Sequence, residues 1–149
     1  MPLVTGTNTD EYTLFALAFR SIDETKLRER VGRFFDDPDT VLDIYRGNRP
    51  DASPDELWTA IMTDRIFRIP AIRLAEAQAP HRPDGTWMYE FAWSSPAFDG
   101  RLRSCHALEI PFVFDNLHQP GVDLLCGTRA TEGRRRHGAR RVDRLRRPR

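Results

Sequence analysis

Gly6-Thr7-Asn8-Thr9-Asp10-Glu11 is the stretch on which the reading of this chain turns. It follows Pro2-Leu3-Val4-Thr5, which reads as the end of a short strand breaking into a loop, and it leads into a segment of helical spacing. Thr9 or Asp10 can cap a helix over 11–20 with Leu14, Leu17 and Ala18 on one side. The stretch therefore sets an acid at a strand-to-helix turn. A chain that opens on a strand end with nothing upstream to pair beside it looks cut.

Working outward, Leu27, Val31, Phe34 and Phe35 make one apolar stripe and predict a helix over 21–35, closed by Asp37-Pro38. A short helix over 40–45 ends before Gly47 and Pro50. Ser53-Pro54-Asp55-Glu56 is a helix start with a capping serine, a first-turn proline and a glutamate three residues on. Helical pattern continues to about Ala79, with Pro70 forced to kink or split it. After the Asp84-Gly85 turn, Trp87, Tyr89, Phe91 and Trp93 alternate along 86–93, with Met88 and Ala92 on the other face. This is the clearest strand, and apolar character on both faces suits the inside of a covered sheet. A loop over 94–104 then delivers Cys105-His106-Ala107-Leu108-Glu109-Ile110-Pro111-Phe112-Val113-Phe114, a compact apolar segment. No internal repeat is present.

With 149 residues, 40% hydrophobic and 10% aromatic, the chain can build one packed core. No apolar run approaches the roughly 20 residues of a membrane span. Met1-Pro2-Leu3-Val4 is not a signal-peptide start, so a cytoplasmic location is expected, unless a leader precedes a truncated start. Cys105 and Cys126 are two cysteines without a disulfide framework or metal-ligand spacing, and free thiols are expected, with neither metal nor cofactor. The net charge of +1 conceals an asymmetry: 127–149 carries ten Arg against Glu132 and Asp143, while 1–126 holds 13 basic and 20 acidic residues. The division expected is thus a folded part over 1–126 and a basic, disordered tail over 127–149. Arg134-Arg135-Arg136 and Arg140-Arg141 through Arg149 could hold nucleic acid or an anionic surface, but no aromatics interleave to stack bases, so a solvated or accidental tail is the preferred reading. Lys26 is the one lysine among 23 basic residues. That usage suggests a GC-rich gene, in which a frameshift near 121–127 would yield such a tail.

Two places can carry chemistry: Glu11 at its turn, and His106 at the end of a long loop after a strand. A carboxylate hydrogen-bonded to an imidazole fixes its tautomer, and the imidazole can shuttle a nucleophile's proton to a leaving group. Taken alone, a first-turn acid commonly serves the helix dipole, and a lone histidine beside apolar residues is commonly a packed one. The local sequences add to this. Gly6-Thr7-Asn8-Thr9-Asp10-Glu11 resembles the "G-x-N-x-D-E" segment of type-B carboxylesterases, and 105–114 resembles their "H-G-x-E-I-x-F-V-F" segment. Thr63-Asp64 with Phe67, Pro70 and Ala75, then Trp87-Met88-Tyr89-Glu90-Phe91, resemble the helix and core strand between them. The resemblance covers roughly 2–118.

That resemblance implies an α/β class, the C-terminal part of an α/β-hydrolase fold: a mostly parallel sheet flanked by helices. It implies Glu11 as the acid and His106 as the base of a triad acting on a small-molecule carboxylic ester. Asp10 and Glu109 match the neighbouring motif positions as supporting residues, with no proton to transfer. Two departures stand out. Ala107 replaces the commoner glycine, which predicts an ordinary backbone angle there. None of Ser21, Ser53, Ser94, Ser95 and Ser104 lies in a Gly-x-Ser-x-Gly elbow, and no glycine-rich oxyanion loop is present. The chain is therefore expected to be a serine esterase fragment, inactive alone. The alternatives are a non-catalytic module docking on a partner that supplies the rest of the sheet, and a basic-tailed nucleic-acid binder.

Overall fold

A computed structural model of the chain describes residues 1–18 and 21–127. The expectations of a basic, disordered or nucleic-acid-binding tail fall almost wholly on 128–149, outside the described residues. Two strands, β1 (Leu3–Asn8) and β2 (Thr86–Phe91), form a parallel pair in which Leu3 faces Thr86 and Asn8 faces Phe91. Parallel neighbours need a crossover, and here it is all helical: α1 (Thr13–Ala16), α2 (Glu24–Gly32), α3 (Pro38–Asn48), α4 (Pro54–Thr63) and α5 (Ile69–Gln78). This is an α/β arrangement, consistent with part of an α/β-hydrolase. The strand expected over 86–93 ends at Phe91, so Trp93 lies beyond the sheet; Val4 on β1 and Trp93 are both exposed. Among the described residues no helix is long and apolar enough to cross a membrane.

Sequence chemistry explains most element ends, with three corrections. Asp37-Pro38 begins a helix rather than ending one. The Asp37 carboxylate accepts the Thr40 N–H at 3.1 Å, Pro38 fills the first turn, and α3 runs to Asn48. Of the helix expected over 11–20, the described residues 11–18 form only the single turn α1. The residues before it are spent elsewhere, since the Tyr12 N–H donates to the Thr63 hydroxyl at 3.0 Å. Pro70 does split the long helix, but the break is a wider π turn over Asp64–Arg68, directly before it. Ser53 behaves as expected, forming a reciprocal capping box with Glu56.

The core has two parts. Leu27, Val31, Leu42, Leu57 and Ile61 are fully buried where α2, α3 and α4 meet. Leu102, Cys105, Leu108 and Cys126 are fully buried within the segment that follows β2, which includes α6 (Ile110–Val113) and α7 (Val122–Cys126). Burying a leucine contributes about 1.5–3 kcal/mol, so each cluster anchors one side of the structure. Cys105 and Cys126 are both free thiols.

Candidate active site

In a parallel pair the carboxyl ends of both strands lie at one rim, and ligands of open α/β sheets bind there. β1 ends at Asn8 and β2 at its register partner Phe91. The acid turn and the histidine loop therefore leave from adjacent points. The Thr9 N–H and hydroxyl both donate to the Phe91 carbonyl, at 2.9 and 3.1 Å. The Ser104 hydroxyl donates to the same carbonyl at 2.7 Å, and the Asp10 N–H donates to the Ser104 carbonyl at 3.0 Å. These bonds sew the two loops edge to edge.

The seam brings Glu11 and His106 together across 95 residues of sequence: Nδ1 of His106 lies 2.7 Å from Oε2 of Glu11. The other carboxylate oxygen accepts the Asn8 N–H at 2.7 Å, and the His106 N–H donates to the Glu11 carbonyl at 3.2 Å. Glu11 is 5% exposed and so held rigidly. The His106 side chain is 43% exposed. Its Nδ1 edge is sealed, while Nε2 has no hydrogen-bond partner among the described residues. Phe15 and Phe67 flank the imidazole, with centroids 5.5 and 5.0 Å from it. A carboxylate bonded to Nδ1 leaves the neutral imidazole with a free lone pair on Nε2, a geometry suited to taking a proton.

Asp10 and Glu109 bond to other groups than the imidazole. The Asp10 carboxylate accepts weakly from the Ser104 N–H at 3.4 Å and faces Arg103 at 3.9 Å. Glu109 accepts the Asn8 side-chain amide at 2.6 Å. Ala107 departs from the sequence expectation. Its φ is +67°, the left-handed region that favours glycine, so the loop keeps the glycine-type turn after His106 with an alanine in it.

No serine among the described residues bonds to His106. Ser104, two residues away, is fully buried and spends its hydroxyl on Phe91. Ser95 donates to the Leu125 carbonyl, Ser21 to Asp55, and Ser53 caps α4. From sequence alone, Asn8 and Arg68 have no individual role. The Arg68 guanidinium holds the Thr9 carbonyl at 3.0 Å, Asp64 at 2.7 Å and Glu90 at 3.0 Å, bracing the acid turn from behind. Asn8 stood inside the quoted motif; Arg68 carried no pattern that would single it out. A cavity of about 990 Å³ opens on that rear side, lined by Thr9, Asp10, Arg49, Asp55 and Arg103, and neither Glu11 nor His106 borders it.

No family model matches the chain. It is 34% identical to the para-nitrobenzyl esterase of Bacillus subtilis over 89% of its own length and 25% of the esterase. It is 31% identical to the phenmedipham hydrolase of Pseudarthrobacter oxydans over 83% of its length, and 28% identical to the acylcarnitine hydrolase of Rattus norvegicus over 76%. The chain spans about a quarter of the length of these relatives. Over most of its own residues, this chain is a relative of the type-B carboxylesterases.

Proposed function

We propose that Glu11 and His106 are the acid and base of a serine-type carboxylic-ester hydrolase whose nucleophile does not lie in these 149 residues. The observation that carries this reading is the 2.7 Å contact between Nδ1 of His106 and the buried Glu11 carboxylate. In that arrangement Nε2 takes the proton of an attacking serine hydroxyl as its oxygen bonds to the ester carbonyl carbon. Glu11 stabilises the imidazolium that forms, and the same proton passes to the departing alkoxide as the C–O bond breaks. A water, deprotonated by His106 in turn, bonds to the acyl carbon; the bond from that carbon to the serine oxygen breaks, His106 returns the proton to that oxygen, and the acid is released. Asp10 and Glu109 transfer no proton in this scheme; they hold the loops.

The substrate class is a small-molecule carboxylic ester, an assignment supported by the relatives' esterase and hydrolase activities. Without an activated nucleophile the pair has only water to deprotonate, and loss of a triad nucleophile costs roughly 10⁶ in rate in one measured protease. The test is p-nitrophenyl ester hydrolysis by the chain alone and mixed with the separately expressed Gly-x-Ser-x-Gly part of the Bacillus subtilis esterase. Turnover only in the mixture, abolished by His106→Ala, supports the proposal. His106-dependent turnover by the chain alone refutes the missing nucleophile. Turnover in the mixture that survives His106→Ala refutes the assigned base.

A further inference from the structure

Asn8 ends β1 fully buried, and every donor it owns is spent on the candidate site. Its backbone N–H donates to Oε1 of Glu11 at 2.7 Å. Its side-chain Nδ2 donates to the Cys105 carbonyl and to Oε2 of Glu109, each at 2.6 Å. Cys105 precedes His106 and Glu109 follows it by three, so one amide grips the histidine loop on both sides of the imidazole. The orientation is fixed by chemistry: both partners only accept, and a flipped amide would set its oxygen against a carboxylate and a carbonyl. The remaining atom, Oδ1, is buried with no partner among the described residues. An apolar side chain of similar size would spare that orphaned acceptor. The two donors are therefore what the amide supplies.

We propose that Asn8 is a positioning residue, clamping the histidine loop to the acid turn so that Nδ1 of His106 meets Glu11. This rests on the reading of Glu11 and His106 as an acid–base pair. Asn8 touches neither the imidazole nor a reacting atom; it acts through Cys105, Glu109 and Glu11. Asn8→Asp keeps the shape and the backbone N–H, removes both side-chain donors, and faces one carboxylate with another.

The test follows the imidazole protons of the full chain by nuclear magnetic resonance, with His106 assigned through His106→Gln. The wild type is expected to show a protected Nδ1–H resonance that Glu11→Ala abolishes. Asn8→Asp should lose that resonance or speed its exchange by at least about tenfold, while Leu27 and Leu57 amides keep their protection. Glu109→Ala, which removes half the clamp at a partly exposed residue, should speed exchange less, and Glu109→Gln should restore it. A folded Asn8→Asp chain with wild-type exchange overturns the proposal and leaves the acid–base pair standing. If Asn8→Asp does not fold, an unchanged resonance in Glu109→Ala overturns it instead. A wild-type chain without any Glu11-dependent resonance overturns both.

Discussion

Replacing Gly6 by alanine perturbs the closest approach in the sheet. Gly6 pairs with Tyr89 across the two strands, and the Tyr89 ring lies over its α-carbon. A methyl group there would sit 2.5 Å from Cγ and 2.6 Å from Cδ2 of that ring, and against Cδ1 as well. Carbon atoms pack at about 3.5–4.0 Å, so the overlap is about 1 Å. The strands are hydrogen-bonded along their whole pairing and cannot part, which leaves the ring to turn. An off-rotamer ring costs about 0.5–1.5 kcal/mol and overpacking about 1–3 kcal/mol. Alanine recovers about 0.4–1 kcal/mol by restricting the unfolded chain. The expected net loss is about 1–2 kcal/mol. In urea, with a slope of about 2 kcal/mol/M, the unfolding midpoint should fall by about 0.5–1 M. In a Tyr89→Ala background the same substitution should instead stabilise by about 0.4–1 kcal/mol, a coupling of about 1.5–3 kcal/mol in the double-mutant cycle. An unchanged midpoint, or an equal loss with and without the Tyr89 ring, refutes the reasoning.

Two further outcomes are expected. Ala107→Gly should stabilise the chain by up to about 1 kcal/mol, because relief of a left-handed alanine outweighs the entropy that glycine adds to the unfolded state; a lower melting temperature would count against the strained loop. Burial pushes the Cys105 thiol up to about 11. The native chain then keeps a proton that the unfolded chain loses from about pH 8.5 upward, so stability is present below that pH and declines as pH rises toward 11. Cys105→Ala should flatten that alkaline limb in urea titrations, and an undiminished limb would show that another group carries it.

The parts of the molecule legible in sequence are those where local chemistry decides. The strand expected over 86–93 announces itself by alternation, though its pairing stops at Phe91, and Ser53 by its capping box. Glu11 and His106 stand out because their flanking residues resemble motifs, and the structure brings the two side chains into contact. The parts that were not legible depend on what each group meets in space. Asp37-Pro38 is equally a stop and a start until the Asp37 carboxylate finds the Thr40 N–H. The 11–20 helix has a plausible cap, but Glu11 turns back to the Asn8 N–H, so the helix starts later. Ala107 reads as ordinary backbone from its residue type, yet the loop between Cys105 and Leu108, both fully buried, demands a left-handed turn. Arg68 is one arginine among many until the acid turn presents it a carbonyl.

The register of the two strands has a consequence for how the site is made. Six residues of pairing set Asn8 beside Phe91, and the site is the continuation of that alignment by three residues on one side and fifteen on the other. Sliding one strand by a single residue shifts it about 3.3 Å and turns every side chain to the opposite face. A hydrogen bond tolerates only a few tenths of an ångström. The Glu11–His106 contact thus behaves as a vernier on the sheet, closing in one alignment and open in all others. A chain that misregisters on folding holds both residues and no pair.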